Sequence, residues 1–253
     1  MAHRLPAVAN IFYPAELNAL KELLTTLEKT APHKHVPGAL RAGVMPHAGL
    51  IYSGRTAMTL AHVLKDHEEE YDHIILIGPS HHIPFTGIVT YPPGEWEMPF
   101  GSVTITPHPA FPQAEEPFIP EHSLEVILPF LWWKDLLHKR ISMLLTSMSN
   151  PADIAPHLWL PGSILIVSTD LSHYYPERIA RAIDRAALEC IPRNDLACVS
   201  ERVEACGKDA LISMLLVAQR EHWNGVFLDY TTSADTVGTS ESVVGYAAFA
   251  FTA

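Results

Sequence analysis

Four short apolar runs punctuate the chain, at residues 42–45, 74–77, 141–146 and 163–167. Each is too short for a core helix, and each reads as a strand buried on both faces. Between them the apolar spacing turns helical. Leu17, Leu20, Leu23, Leu24 and Leu27 form one stripe, which predicts a surface helix within 14–30. Ala57, Met58, Leu60, Ala61 and Leu64 supply the buried side of a helix that Ser53-Gly54 opens. Further helices are predicted over 121–133 with Ser123 as N-cap, over 151–159, and over 177–190 behind Pro176. Two more run from Asn194-Asp195 towards residue 204 and over 209–223, and strands at 226–231 and 243–251 close the chain. Residues 88–91 and 103–105 read as a hairpin or edge pair around Pro92-Pro93-Gly94, and 107–121 as a proline-rich irregular loop. Strands alternating with helices predict the α/β class. The expected architecture is a single three-layer α/β/α domain over residues 1–253, with a largely parallel or mixed central sheet.

Composition narrows the function without naming it. A hydrophobic share of 48% over 253 residues allows a sizeable core. The net charge of −11 argues against a nucleic-acid partner, which needs a basic face. Met1-Ala2-His3-Arg4-Leu5-Pro6 lacks the apolar core of a signal peptide, and no apolar segment is long enough to span a bilayer. The expected home is therefore a reducing cytoplasm, with no membrane partner. Cys190, Cys198 and Cys206 are an odd set at spacings of eight, unlike a zinc finger, so all three are expected as free thiols.

The chemistry gathers where the strands end. Pro46-His47-Ala48-Gly49 follows the first run, Gly78-Pro79-Ser80-His81-His82 the second, and Ser168-Thr169-Asp170-Leu171-Ser172-His173 the last. Ligands of open α/β sheets bind beyond the carboxyl ends of the strands. Neutral imidazole is the commonest transition-metal ligand. A single histidine in such a place more often caps backbone, but three at parallel strand ends favour a shared site. Cys206 precedes Gly207-Lys208 at the expected start of a helix, where the macrodipole and the lysine would favour thiolate. It reads either as a soft metal ligand or as a nucleophile with His173 or His122 as base. Asp170 orients an imidazole or caps its turn. Glu121 offers a base or ligand and His122 a proton shuttle, unless the two simply begin a helix.

Four motifs occur in order. They are Pro46-His47-Ala48-Gly49-Leu50-Ile51-Tyr52-Ser53-Gly54, Gly78-Pro79-Ser80-His81-His82, Glu121-His122-Ser123-Leu124-Glu125-Val126-Ile127-Leu128-Pro129, and Ser168-Thr169-Asp170-Leu171-Ser172-His173. Phe12-Tyr13-Pro14 and Ser240-Glu241-Ser242-Val243-Val244-Gly245-Tyr246-Ala247-Ala248 flank them. The ordered set closely resembles the Memo family, component B of the AmmeMemoRadiSam system in prokaryotes. That family is similar in fold to the LigB-type class III extradiol dioxygenases, which are non-heme iron(II) enzymes. The resemblance implies a metal held by His47, His81 and Cys206, with His173 in the same pocket and His82 and Tyr52 along its wall. Cys206 stands where the dioxygenases carry a carboxylate, and a thiolate suits copper or zinc as well as iron(II).

The implied function is an iron- or copper-dependent oxidoreductase with His173 as acid–base, assisted by His122, Asp170 and Glu121. A non-catalytic adaptor using the pocket for an anionic ligand or peptide is one alternative. A zinc- or thiol-dependent hydrolase is the other. The expected partners are a small-molecule or anionic ligand and other AmmeMemoRadiSam proteins, including a radical SAM protein.

Overall fold

The computed structural model describes residues 2–253. Its core is a mixed sheet built around four parallel strands, β2 (Leu40–Met45), β3 (His73–Pro79), β7 (Arg140–Ser147) and β8 (Ser163–Ser168). In space they lie in the order β2-β8-β3-β7. β4 (Gly87–Thr90) adds antiparallel to β7 at one edge. At the other edge β11 (Val243–Thr252) adds antiparallel to β2, and β10 (Asn224–Thr232) adds antiparallel to β11.

The apolar runs show why three layers form. Side chains alternate across a strand. Ile74 and Leu76 pack into the core on one face, and Ile75 and Ile77 into the core on the other. Ile164 and Ile166 divide from Leu165 and Val167 in the same way. The first face is covered by α1 (Leu17–Thr30), α2 (Leu50–Asp66) and α3 (Leu128–Trp133). The second is covered by α4 (Pro151–Leu158), α5 (Glu177–Cys190), α6 (Leu196–Arg202) and α7 (Lys208–Arg220). Gly43 marks the closest approach of α2, because a Cβ there would stand 2.6 Å from Leu60 Cδ2. The fold class is the expected α/β, with its parallel strands confined to the middle of the sheet.

Four local expectations are corrected. First, residues 88–91 and 103–105 do not pair. The strand at 88–91 is β4, in the large sheet. The hairpin is β5 (Gly94–Met98) with β6 (Gly101–Ile105), and β1 (Ala2–Arg4) adds parallel to β5. Pro92 and Pro93 carry no N–H and end a strand instead of turning it. Gly101, at φ 115, makes the turn. Second, no helix begins at Glu121. Residues 121–124 are irregular, a 3-10 turn covers Glu125–Ile127, and α3 follows. Ser123 caps nothing: its hydroxyl donates to Pro79 O at 2.9 Å and its N–H to Glu121 Oε1 at 2.8 Å. Third, α2 begins at Leu50, three residues before Ser53. Fourth, Cys190 and Cys198 are bonded to each other, leaving Cys206 as the free cysteine. The turn between α5 and α6 folds back and brings their Cα atoms to 6.0 Å, which a count of cysteines cannot reveal.

Candidate metal centre

Parallel pairing places the carboxyl ends of β2, β8 and β3 side by side, with Met45 level with Ser168 and Ile77 level with Val167. The three histidine-bearing loops therefore leave the sheet along one edge. They bring His47, His81, Asp170 and His173 to a single cavity of about 430 Å³, which Tyr52, His122 and Cys206 also line.

Each metal-ligand candidate is pinned by the chain behind it. His47 is buried. Its N–H donates to Asp170 Oδ1 at 2.8 Å, and its Nδ1 lies 2.8 Å from Ser168 Oγ. The Ser168 hydroxyl gives its proton to Ser123 O, so it accepts from His47 Nδ1–H. That fixes the tautomer and turns the Nε2 lone pair towards Cys206 Sγ, 3.4 Å away. His81 is fixed by Glu121. Its Nδ1 lies 2.9 Å from Glu121 Oε1, and its backbone N–H goes to Glu121 Oε2. Cys206 is placed by the sheet edge and the start of α7. Its N–H donates to Asp170 O at 3.2 Å, and its sulfur accepts the Asp170 N–H at 3.2 Å. The next residue must be small, since a Cβ on Gly207 would meet Ser168 O at 2.8 Å. Lys208 turns away and donates to Ser200 O at 2.6 Å, so the charge expected beside the thiol points elsewhere.

Ligand atoms of His47, His81 and Cys206 lie within 4.8 Å of one another. Two ligands of one tetrahedral ion, with metal–N bonds of about 2.0–2.1 Å and a metal–S bond of about 2.3 Å, stand roughly 3.5 Å apart. The His47 Nε2 to Cys206 Sγ separation fits that spacing. His81, Glu121 and His122 form an overlapping set at the same spacing. Glu121, however, already accepts four N–H bonds, from His81 N and Nδ1, His122 N and Ser123 N. A carboxylate so engaged orients its histidine, as the outer partners of metal ligands do. It is poorly disposed to act as the base or ligand the sequence offered.

The electrostatics follow from burial. Burial opposes ionisation of Glu121, but the bonds from His81 and the amides outweigh it and hold its carboxyl well below the usual range. Burial likewise disfavours a charged His81, yet the bonds to Cys206 and Glu121 prevail and push it up to about 10. Burial drives His47 well below its ordinary value and brings His122 down to about 4. It also lowers His173. Without metal, one imidazolium thus sits among three neutral imidazoles. An ion entering the site has to displace the proton of His81.

The model of the Memo-like protein family matches residues 4–250. The chain belongs to the Memo family. A MEMO1 family protein of Thermoplasma acidophilum is 31% identical, over 96% of this chain and 97% of its own. One from Saccharolobus solfataricus is 30% identical over 98% and 99%, and one from Nitrosopumilus maritimus is 28% identical over 98% and 99%. In this Memo protein His82 stands apart from the cavity: it is exposed, its ring 5.7 Å from that of His122. His122 stacks on His81 at 4.7 Å. The sequence reading passed over Ser168, although a polar residue ending an apolar strand was a signal. Ile11, Tyr174 and Val244 also line the cavity.

Asp170 supplies a test. Burial raises its carboxyl from 3.8 to about 7. A raised acid disfavours the charged form in the fold, so its cost is absent below about pH 4, grows towards pH 7 and is complete above it. Asp170→Asn should therefore raise the Tm of chelator-treated protein at pH 8 and leave it near wild type at pH 4. A Tm difference that is the same at both pH values would reject this.

Proposed function

We propose that this Memo protein is a mononuclear metal-dependent oxidoreductase, with His47, His81 and Cys206 holding iron(II) or copper. One observation carries the reading. Two imidazoles are locked from behind by Ser168 and Glu121, and their ligand atoms meet a cysteine sulfur within 4.8 Å in an open cavity. When bound, either metal supplies one-electron chemistry and open coordination positions. The chain supplies the rest. His173 is neutral at pH 7 and can take a proton from a ligand in the cavity and return it, whereas His122, down at about 4, is too weak a base to match it. Glu121 and Ser168 hold the ligand rings in one orientation throughout.

The proposed setting is the cytoplasm, alongside AmmeMemoRadiSam partners including a radical SAM protein. Among the described residues no helix is long and apolar enough to cross a membrane. In a reducing compartment the Cys190–Cys198 bond would be an exception to the usual rule.

The test is oxygen uptake by iron(II)- or copper-loaded protein with ascorbate or a catechol. Uptake above that of the free metal, lost with a chelator and in His47→Ala, is the expected result. Uptake equal to free metal in all samples would reject the assignment.

A thiol hydrolase is the second reading, favoured by the Cys206–His47–Ser168 chain, with sulfur and imidazole 3.4 Å apart. The base would then be His47, not His173 or His122. Ester hydrolysis that survives chelation and stops on alkylating Cys206 would favour it.

A further inference from the structure

Tyr174 occupies the left-handed region, at φ 64. Among the described residues five other non-glycines share a positive φ. Asn10, Asp135, Asn194 and His222 are types that tolerate it, whereas Met148 and Tyr174 are not. Of these two, only Tyr174 lines the cavity that holds His47, His81 and Cys206.

The residue is held there from both sides. It lies in β9 (His173–Tyr175), where His173 pairs with Val244 and Tyr175 with Val243 of β11. The His173 N–H and the Tyr175 hydroxyl both donate to Glu204, at 3.2 and 3.3 Å. Strain of this kind persists where the surroundings over-determine it, and it collects at binding sites. The usual offset is missing, because the residue is 76% exposed and gains little from packing. It stands at the cavity mouth, edge-on to His173 with centroids 5.7 Å apart. The cavity itself is two-sided: Ile11, Phe12, Tyr52 and Val244 form its walls, while imidazoles and the thiol form its floor.

We propose that Tyr174 determines specificity in this cavity. It is held out of an ordinary conformation to complete an aromatic wall against the flat apolar body of a small ligand. The polar end of that ligand reaches the His/Cys floor. The inference rests on this cavity being the working site, as proposed above.

The test uses 2-naphthol as probe, with binding followed by its fluorescence in zinc-loaded and metal-free protein. Tyr174→Gly removes the ring and the backbone strain together. It should raise the Tm, weaken 2-naphthol binding at least fivefold and leave metal content at the wild-type level. Tyr174→Phe should bind within about twofold of wild type, because the ring and not the hydroxyl makes the contact. No binding by wild type, unchanged affinity in Tyr174→Gly, or a lowered Tm in that variant would each overturn the proposal. Failure here with wild-type metal content intact leaves the metal centre standing. Probe binding by a protein that takes up no metal sinks the oxidoreductase reading alone.

Discussion

His47→Ala and Cys206→Ser should each lower the affinity for iron(II), copper or zinc by on the order of 10²- to 10³-fold. Complete zinc sites bind with about 10–16 kcal/mol shared over four ligands, so one lost protein ligand forfeits roughly 2.5–4 kcal/mol. The loss should not spread to the fold. The two apolar cores lie on either face of the sheet, and neither contains His47 or Cys206. Unfolding curves of the metal-free variants should stay close to that of metal-free wild type. Metal content by elemental analysis, measured beside the unfolding curves, checks both halves. Unchanged content in both variants would reject the ligand set. A collapse of stability in both would mean that these side chains serve the fold first.

The strand ends were legible for a physical reason. A strand buried on both faces reads as a nearly continuous apolar run, so the polar residues just after it stand out, and in this chain they include His47, Ser80-His81 and Ser168-Thr169-Asp170. The common edge followed from topology, since parallel strands with crossover helices direct their carboxyl ends the same way. What stayed hidden depends on distance across the chain. Ser168 touches His47 across 121 positions, and the tautomer this imposes leaves no periodic mark. Glu121 read as a helix start because acidic residues suit helix N-termini, yet its carboxylate is saturated by amides and His81. The strain at Tyr174 was invisible because nothing in a Tyr-Tyr pair announces a positive φ. The Cys190–Cys198 bond depended on how tightly the turn between α5 and α6 closes, which composition does not encode.

Arg4→Ala should destabilise the protein by about 3–5 kcal/mol, the cost of stranding a buried charge. Arg4 and Glu125 are sealed from solvent, with Nη1 and Oε2 2.6 Å apart. Arg4 Nε donates to Phe118 O at 2.6 Å and Nη2 to Glu121 O, and the guanidinium lies 4.0 Å from the Trp96 ring centroid. Glu125 in turn accepts the Ala7 and Val8 amides at 2.8 and 3.1 Å, and the Tyr13 hydroxyl. Alanine would leave a buried carboxylate without its cation and the Glu121 carbonyl without a donor, while Phe118 O would keep only the Glu121 amide. For a chain of this size each kcal/mol moves Tm by about 2–4 °C, so a fall of roughly 6–20 °C is expected. Pairing Arg4→Met with Glu125→Gln removes both charges and should recover most of the loss. The effect should also reach the metal centre. Arg4 holds the Glu121 carbonyl, and the Glu121 carboxylate aims His81, so Arg4→Ala should weaken metal binding although its side chain lies outside the cavity lining. A loss below about 1 kcal/mol would show that water reaches the pair, and wild-type metal affinity in the variant would show that Glu121 is positioned without it.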